Sequence, residues 1–84
     1  MEKGLNSDIS LRGVTYHVQT EDWGPENPFL VSRVFRNGAV VKSVKTPRQE
    51  ALLRGSVVEA EALRQALRQQ HSQILDLLVS GQLI

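Results

Sequence analysis

The hydrophobic period of this chain changes once, near Thr46, and that change limits its fold more than any other feature. Before Thr46, Val14, Tyr16 and Val18 fall on one side of an extended segment, with Thr15, His17 and Gln19 on the other. After it, apolar positions recur at spacings of three and four, through Ala60, Leu63, Leu67, His71, Ile74 and Leu78. The first pattern is that of a strand with one buried face, the second that of an amphipathic helix. Strands followed by helices, without alternation, predict an α+β domain and exclude a parallel doubly wound sheet.

Within the β half, Phe29 to Phe35 and Val40 to Val44 are rich in β-branched and aromatic residues and flank Asn37-Gly38, the strongest short hairpin signal. The spacing predicts a three-stranded antiparallel meander over residues 14–46, with 1–11 a loose lead-in ending at an Arg12-Gly13 turn. A two-residue hairpin turn pairs Phe35 with Val40 and sets Arg33 opposite Lys42; a three-residue turn pairs Phe35 with Ala39. A one-residue slip moves a strand's whole apolar set to the other side, and both registers remain open. In either, both faces of the second and third strands carry large apolar side chains.

The helical half, residues 47–80, carries two capping-box patterns, Thr46-Pro47-Arg48-Gln49 and Ser56-Val57-Val58-Glu59. They predict a short helix stopped by Gly55 in a left-handed cap, then a long helix from Val57 to about Val79 ending at Ser80-Gly81; the alternative is one continuous helix with Gly55 inside it, at about 1 kcal/mol relative to alanine. The long helix measures roughly 35 Å against about 23 Å for a seven-residue strand, so it should overhang the sheet. Its apolar band widens at the end to include Leu75, Leu77 and Val79.

Size sharpens this. The chain has 84 residues, 40% of them hydrophobic, and no cysteine to staple a small core. Spare apolar surface on one sheet face and on the helix end predicts a second copy as cover, with Leu67, His71, Ile74, Leu75 and Leu78 as the dimer interface. The amino terminus has no apolar signal-peptide core and no segment approaches the length of a membrane span, so a cytoplasmic protein with no membrane contact is expected.

The stretch Tyr16-His17-Val18-Gln19-Thr20-Glu21-Asp22, with Gln70-His71 and Gly81-Gln82 later in the chain, resembles a family of small bacterial proteins for which no activity is established. In that family a similar HVQTED strand precedes a loop, a hairpin and a helix with a QH pair. The likeness spans roughly residues 11–84 and implies the same α+β layout. Trp23 and the Gly55-Ser56 break depart from the family pattern. A second likeness is to the double-stranded RNA-binding domain, which also runs through three strands into a helix. Gly24-Pro25, Phe29, Lys45 and Arg48 stand at its loop, aromatic and basic helix-start positions, but its leading helix and small-residue alanine pattern are absent.

Residues 27–49 contain Arg33, Arg36, Lys42, Lys45 and Arg48 and no acid, while Glu21, Asp22 and Glu26 cluster just before them. Such a basic hairpin can meet phosphates, though lysine and arginine also guard sheet edges. Trp23 is either a binding anchor or a lid over the core end. His17 reads as a cross-strand hydrogen-bonding residue near Glu21, and His71 as a partly buried packing residue. A His17–Glu21 acid–base pair is the only catalytic arrangement on offer, with no third group to complete it. No metal-type histidine spacing and no glycine-rich phosphate loop occurs, so neither metal nor cofactor is expected. The expected function is a non-catalytic protein-interaction and dimerisation module, contacting an unidentified protein partner through Trp23 or the basic hairpin. Nucleic-acid binding by that hairpin is the alternative.

Overall fold

The computed structural model describes residues 3–55 and 57–84. The fold is α+β: an antiparallel sheet followed by a short and a long helix. Its strands are β1 (Leu5–Leu11), β2 (Val14–Asp22), β3 (Phe29–Arg36) and β4 (Ala39–Pro47), in the spatial order β1-β2-β3-β4. The helices are α1 (Arg48–Arg54) and α2 (Glu59–Val79).

The expected loose lead-in is instead a strand, so the meander has four strands rather than three. Leu5, Ser7, Ile9 and Leu11 take one face, and Asn6, Asp8 and Ser10 the other, in unbroken register from Leu5↔Thr20 to Leu11↔Val14. Ser7, a polar residue in the middle of the apolar row, interrupts this strand's period of two. Arg12 and Gly13, at φ 52 and 79, form the tight turn between β1 and β2. Asn37 and Gly38, at φ 53 and 77, form the same kind of two-residue turn between β3 and β4.

That second turn pairs Phe35 with Val40. A bulge then shifts the register, so Val34 faces Lys42 and Arg33 faces Ser43 instead of Lys42. Cross-strand partners share a face, which assigns Val18, Thr20, Asp22, Leu30, Ser32 and Val34 to the buried side under the helices.

Both helix starts differ from their expected caps. Thr46 is a strand residue paired with Leu30, α1 begins at Arg48 after Pro47, and no side chain caps it. Ser56 lies outside the described residues; α2 begins at Glu59 after an extended Val58, again without a side-chain cap. Gly55 does end α1, but in an extended conformation rather than a left-handed one. Its glycine is required by space: a Cβ there would stand 2.5 Å from the Ala62 Cβ and 2.9 Å from its Cα. Gly55→Ala is therefore expected to push α1 off α2 and cost about 1–3 kcal/mol, read as a lower urea midpoint. At the far end α2 closes as expected: Gly81, at φ 75, and Gln82 donate backbone N–H groups to Leu78 and Leu77.

The expected overhang of α2 is absent. Its 21 residues measure about 31 Å, and the nine residues of β2 about 30 Å. Ile74 and Leu78 form one buried cluster with Val18 and Val34, covered by Ile9, Leu11, Tyr16, Leu75 and Leu83. A second cluster joins Leu63 and Leu67 to Leu30 and Ala51. Leu67, His71, Ile74 and Leu78 are thus spent inside the chain, and Leu75 packs beside them, so they form no surface for a second copy. Strand β1 supplies the cover that the sequence assigned to a dimer.

Candidate interaction surface

Between the two apolar clusters, α2 presents Gln70 and His71, both buried. The sheet answers with Ser7, Thr20 and Ser32 from three neighbouring strands. His71 Nε2 lies 2.8 Å from Ser7 Oγ, and its Nδ1 2.8 Å from Thr20 Oγ1. Thr20 Oγ1 is 2.7 Å from Ser32 Oγ, which accepts from Gln70 Nε2 at 2.8 Å. Gln70 donates to Ser32, and the rest of the chain can run either way: Ser32 to Thr20, Thr20 to His71 Nδ1 and His71 Nε2–H to Ser7, or Ser7 to His71 Nε2, His71 Nδ1–H to Thr20 and Thr20 to Ser32. A neutral imidazole satisfies both. Burial, with a smaller contribution from His17, lowers the His71 pKa below its ordinary 6.5.

The sign follows from linkage. The unfolded chain protonates His71 near pH 6.5, the folded chain only at lower pH, so the unfolded state takes up the proton first. The stabilisation is complete above pH 6.5 and declines as pH falls toward the folded value. Urea unfolding should show His71→Gln least stable relative to the parent near pH 8, with the gap narrowing toward pH 5.

A second buried polar contact closes the other end of the domain. Arg48 Nη1 donates to Asp22 Oδ1 at 3.0 Å, and the Gly24 N–H donates to the same oxygen at 3.0 Å. The Asp22 side chain is fully buried. Arg48, expected to face a partner, is therefore an internal residue joining α1 to the end of β2.

The opposite face of the sheet has no helix over it. Register rows across it read Asp8, His17, Phe35, Val40; then Asn6, Gln19, Arg33, Ser43; then Glu21, Val31, Lys45; then Phe29, Pro47. The Arg33 guanidinium sits 4.7 Å above the Trp23 ring, and Lys45 Nζ 5.6 Å from the Phe29 ring. The His17 and Phe35 rings lie 6.0 Å apart, tilted. Trp23, Phe29 and Val40 remain 38%, 37% and 49% exposed. Trp23 is thus on the open face rather than a lid over the buried clusters.

The five basic residues do not form one patch. Arg33 and Lys45 share the open face with Asp8 and Glu21, so its charges balance. Arg36 and Lys42 take the helix side, opposite Tyr16 and Val34, and Arg48 is buried. His17 is a cross-strand hydrogen-bonding residue, but with Asp8: its Nδ1 lies 2.7 Å from Asp8 Oδ1, and Gln19 Nε2 approaches its Nε2 at 3.2 Å. Both ring nitrogens are thereby engaged, with Asp8 in place of the expected Glu21. Asp8 belongs to β1, whose apolar row Ser7 interrupts. Among the described residues no group of three His, Asp or Glu side chains could hold a metal ion, and no helix is long and apolar enough to cross a membrane.

Comparison with protein-family models, with curated proteins and with solved structures yields no match. The functional reading rests on the geometry of the two sheet faces.

Proposed function

We propose that this chain is a non-catalytic protein-interaction module whose contact surface is the open face of its sheet. The observation that carries this reading is the pairing of exposed aromatic rings with cations on that face, Trp23 with Arg33 and Phe29 with Lys45, beside exposed Val40. Tryptophan and arginine are the residue types most often dominant in protein interfaces. Phe29 opens β3, Trp23 directly follows β2, and each ring is held by a cation, so little side-chain freedom is lost on contact. Balanced charge favours a protein over a phosphate backbone, which needs an excess of cations to displace counterions.

The test is in-cell photo-crosslinking from a benzoylphenylalanine placed at Phe29 or Val40, with Arg68 on the exposed side of α2 as the control position. Discrete protein adducts from Phe29 and Val40 but not from Arg68, lost on Arg33→Glu, support the reading. Equal labelling at all three positions, or none, contradicts it. Salt-sensitive binding of mixed single strands by the purified chain, abolished by the same Arg33→Glu change, would favour the nucleic-acid alternative instead.

A further inference from the structure

The two edges of the sheet are built differently. Strand β4 carries exposed Lys42 and Lys45, ends at Pro47 and is bent by a bulge, all features that discourage a further strand. Strand β1 carries none of these: it has no lysine, arginine or proline and runs in seven unbroken register pairs against β2. Its centre is fixed in place, since Ser7 bonds His71 of α2 and Asp8 bonds His17 of β2. A preformed, unguarded edge loses little freedom when another strand pairs with it.

We propose that β1 pairs antiparallel with β1 of a second copy across a two-fold axis, in the register that sets Ser7 opposite Ser7. Strand β1 is complementary to itself there. Leu5 falls opposite Ile9 and Asn6 opposite Asp8, each pair occurring twice by symmetry, and the inward face of one copy continues the inward face of the other. Moving the axis to Asp8 opposes two carboxylates. Moving it to Ile9 leaves one apolar Ile9–Ile9 pair and sets Ser7 against Leu11. The product is one sheet of eight strands, four from each copy, with all helices on one side and the two open faces joined on the other. This pairing uses a different surface from the open-face contact and does not depend on it.

Sedimentation velocity across the micromolar range, on the full chain, tests the proposal. A dimer is expected. Asn6 is exposed, so its substitutions leave the fold intact by circular dichroism. Asn6→Lys should tighten the dimer about fivefold by facing Asp8 of the partner copy, and Asn6→Asp should loosen it by about as much. Val40→Glu, on the open face, should leave it unchanged. A monomer at every concentration, a dimer indifferent to both Asn6 changes, or a dimer lost on Val40→Glu would each overturn the proposal. The last of these would move self-association to the open face and leave the module reading intact.

Discussion

Replacing Arg48 with methionine is expected to cost about 3–5 kcal/mol, a large share of the stability of a chain this small. The variant keeps the bulk of the side chain and deletes its charge. Asp22 would then sit fully buried, with the Gly24 N–H still donating to its Oδ1 but without the Arg48 charge. Breaking one side of a buried pair costs far more than the pair itself contributes, because the other charge loses both water and partner. The double variant Asp22→Leu with Arg48→Met should recover a large part of the loss. Urea titrations of the parent, the single and the double variant check this. Near-additive losses would mean that the two residues do not act as a pair.

The second large effect lies in the polar layer beneath α2. Thr20→Val keeps the shape of the side chain and removes the one hydroxyl that connects Ser32 to His71. Both partners are then buried without that bond, at about 1–3 kcal/mol each, so a loss of about 2–5 kcal/mol is expected. The His71-dependent fall in stability at low pH should also shift, because the imidazole loses the neighbour on its Nδ1. A Thr20→Ser variant keeps the hydroxyl and should lose much less. Melting curves of the three proteins decide it: a serine variant that loses as much as the valine variant, or more, would mean that the Thr20 methyl, which valine keeps, matters at least as much as the hydrogen bonds.

This layer also explains how α2 finds its place. A helix with only apolar residues facing a sheet can slide along it at little cost. Here Gln70 and His71 have partners at one position alone, between the Leu30–Leu67 cluster and the Val18–Ile74 cluster. Sliding by one turn would strip Gln70, His71 and Ser7 of these partners and leave Thr20 and Ser32 with only each other.

Much of this was legible from the chain. The period change at Thr46, the Asn37-Gly38 turn, the stripe from Leu63 to Leu78 and the Gly81 cap carried the α+β layout, because each has a local physical cause. Strand β1 was not legible, since Ser7 replaces an apolar residue at the middle of its buried face. Ser7 is there for His71, sixty-four residues later, and only the folded chain brings the two together. The burial of Thr20 and Asp22 did have a signal: they continue the parity of Val14, Tyr16 and Val18 onto the same face. Their polarity disguised it. Missing β1 then misplaced the spare apolar surface, because the end of α2 looked uncovered. Arg48 looked like a surface cation because its partner Asp22 lies across a proline-containing loop. The surplus that remains after folding lies partly on the open sheet face, around Trp23, Phe29 and Val40, and partly at Leu53, Val57 and Val58 near the α1–α2 junction and at Val79 and Ile84 beyond it.

The central claim is a division of labour between the two faces of one sheet: the inner face holds the fold, and the exposed outer residues Trp23, Phe29 and Val40 serve contact, with Val31 the buried exception on the outer face. Unfolding free energy measured by urea for Phe29→Ser, Val40→Ser and Val34→Ser tests it most directly. Val34, only 1% exposed, should cost more than about 2 kcal/mol, and the two half-exposed outer variants about 1 kcal/mol or less each. Outer variants as damaging as Val34→Ser would mean that those residues serve the fold, and the claim would fail.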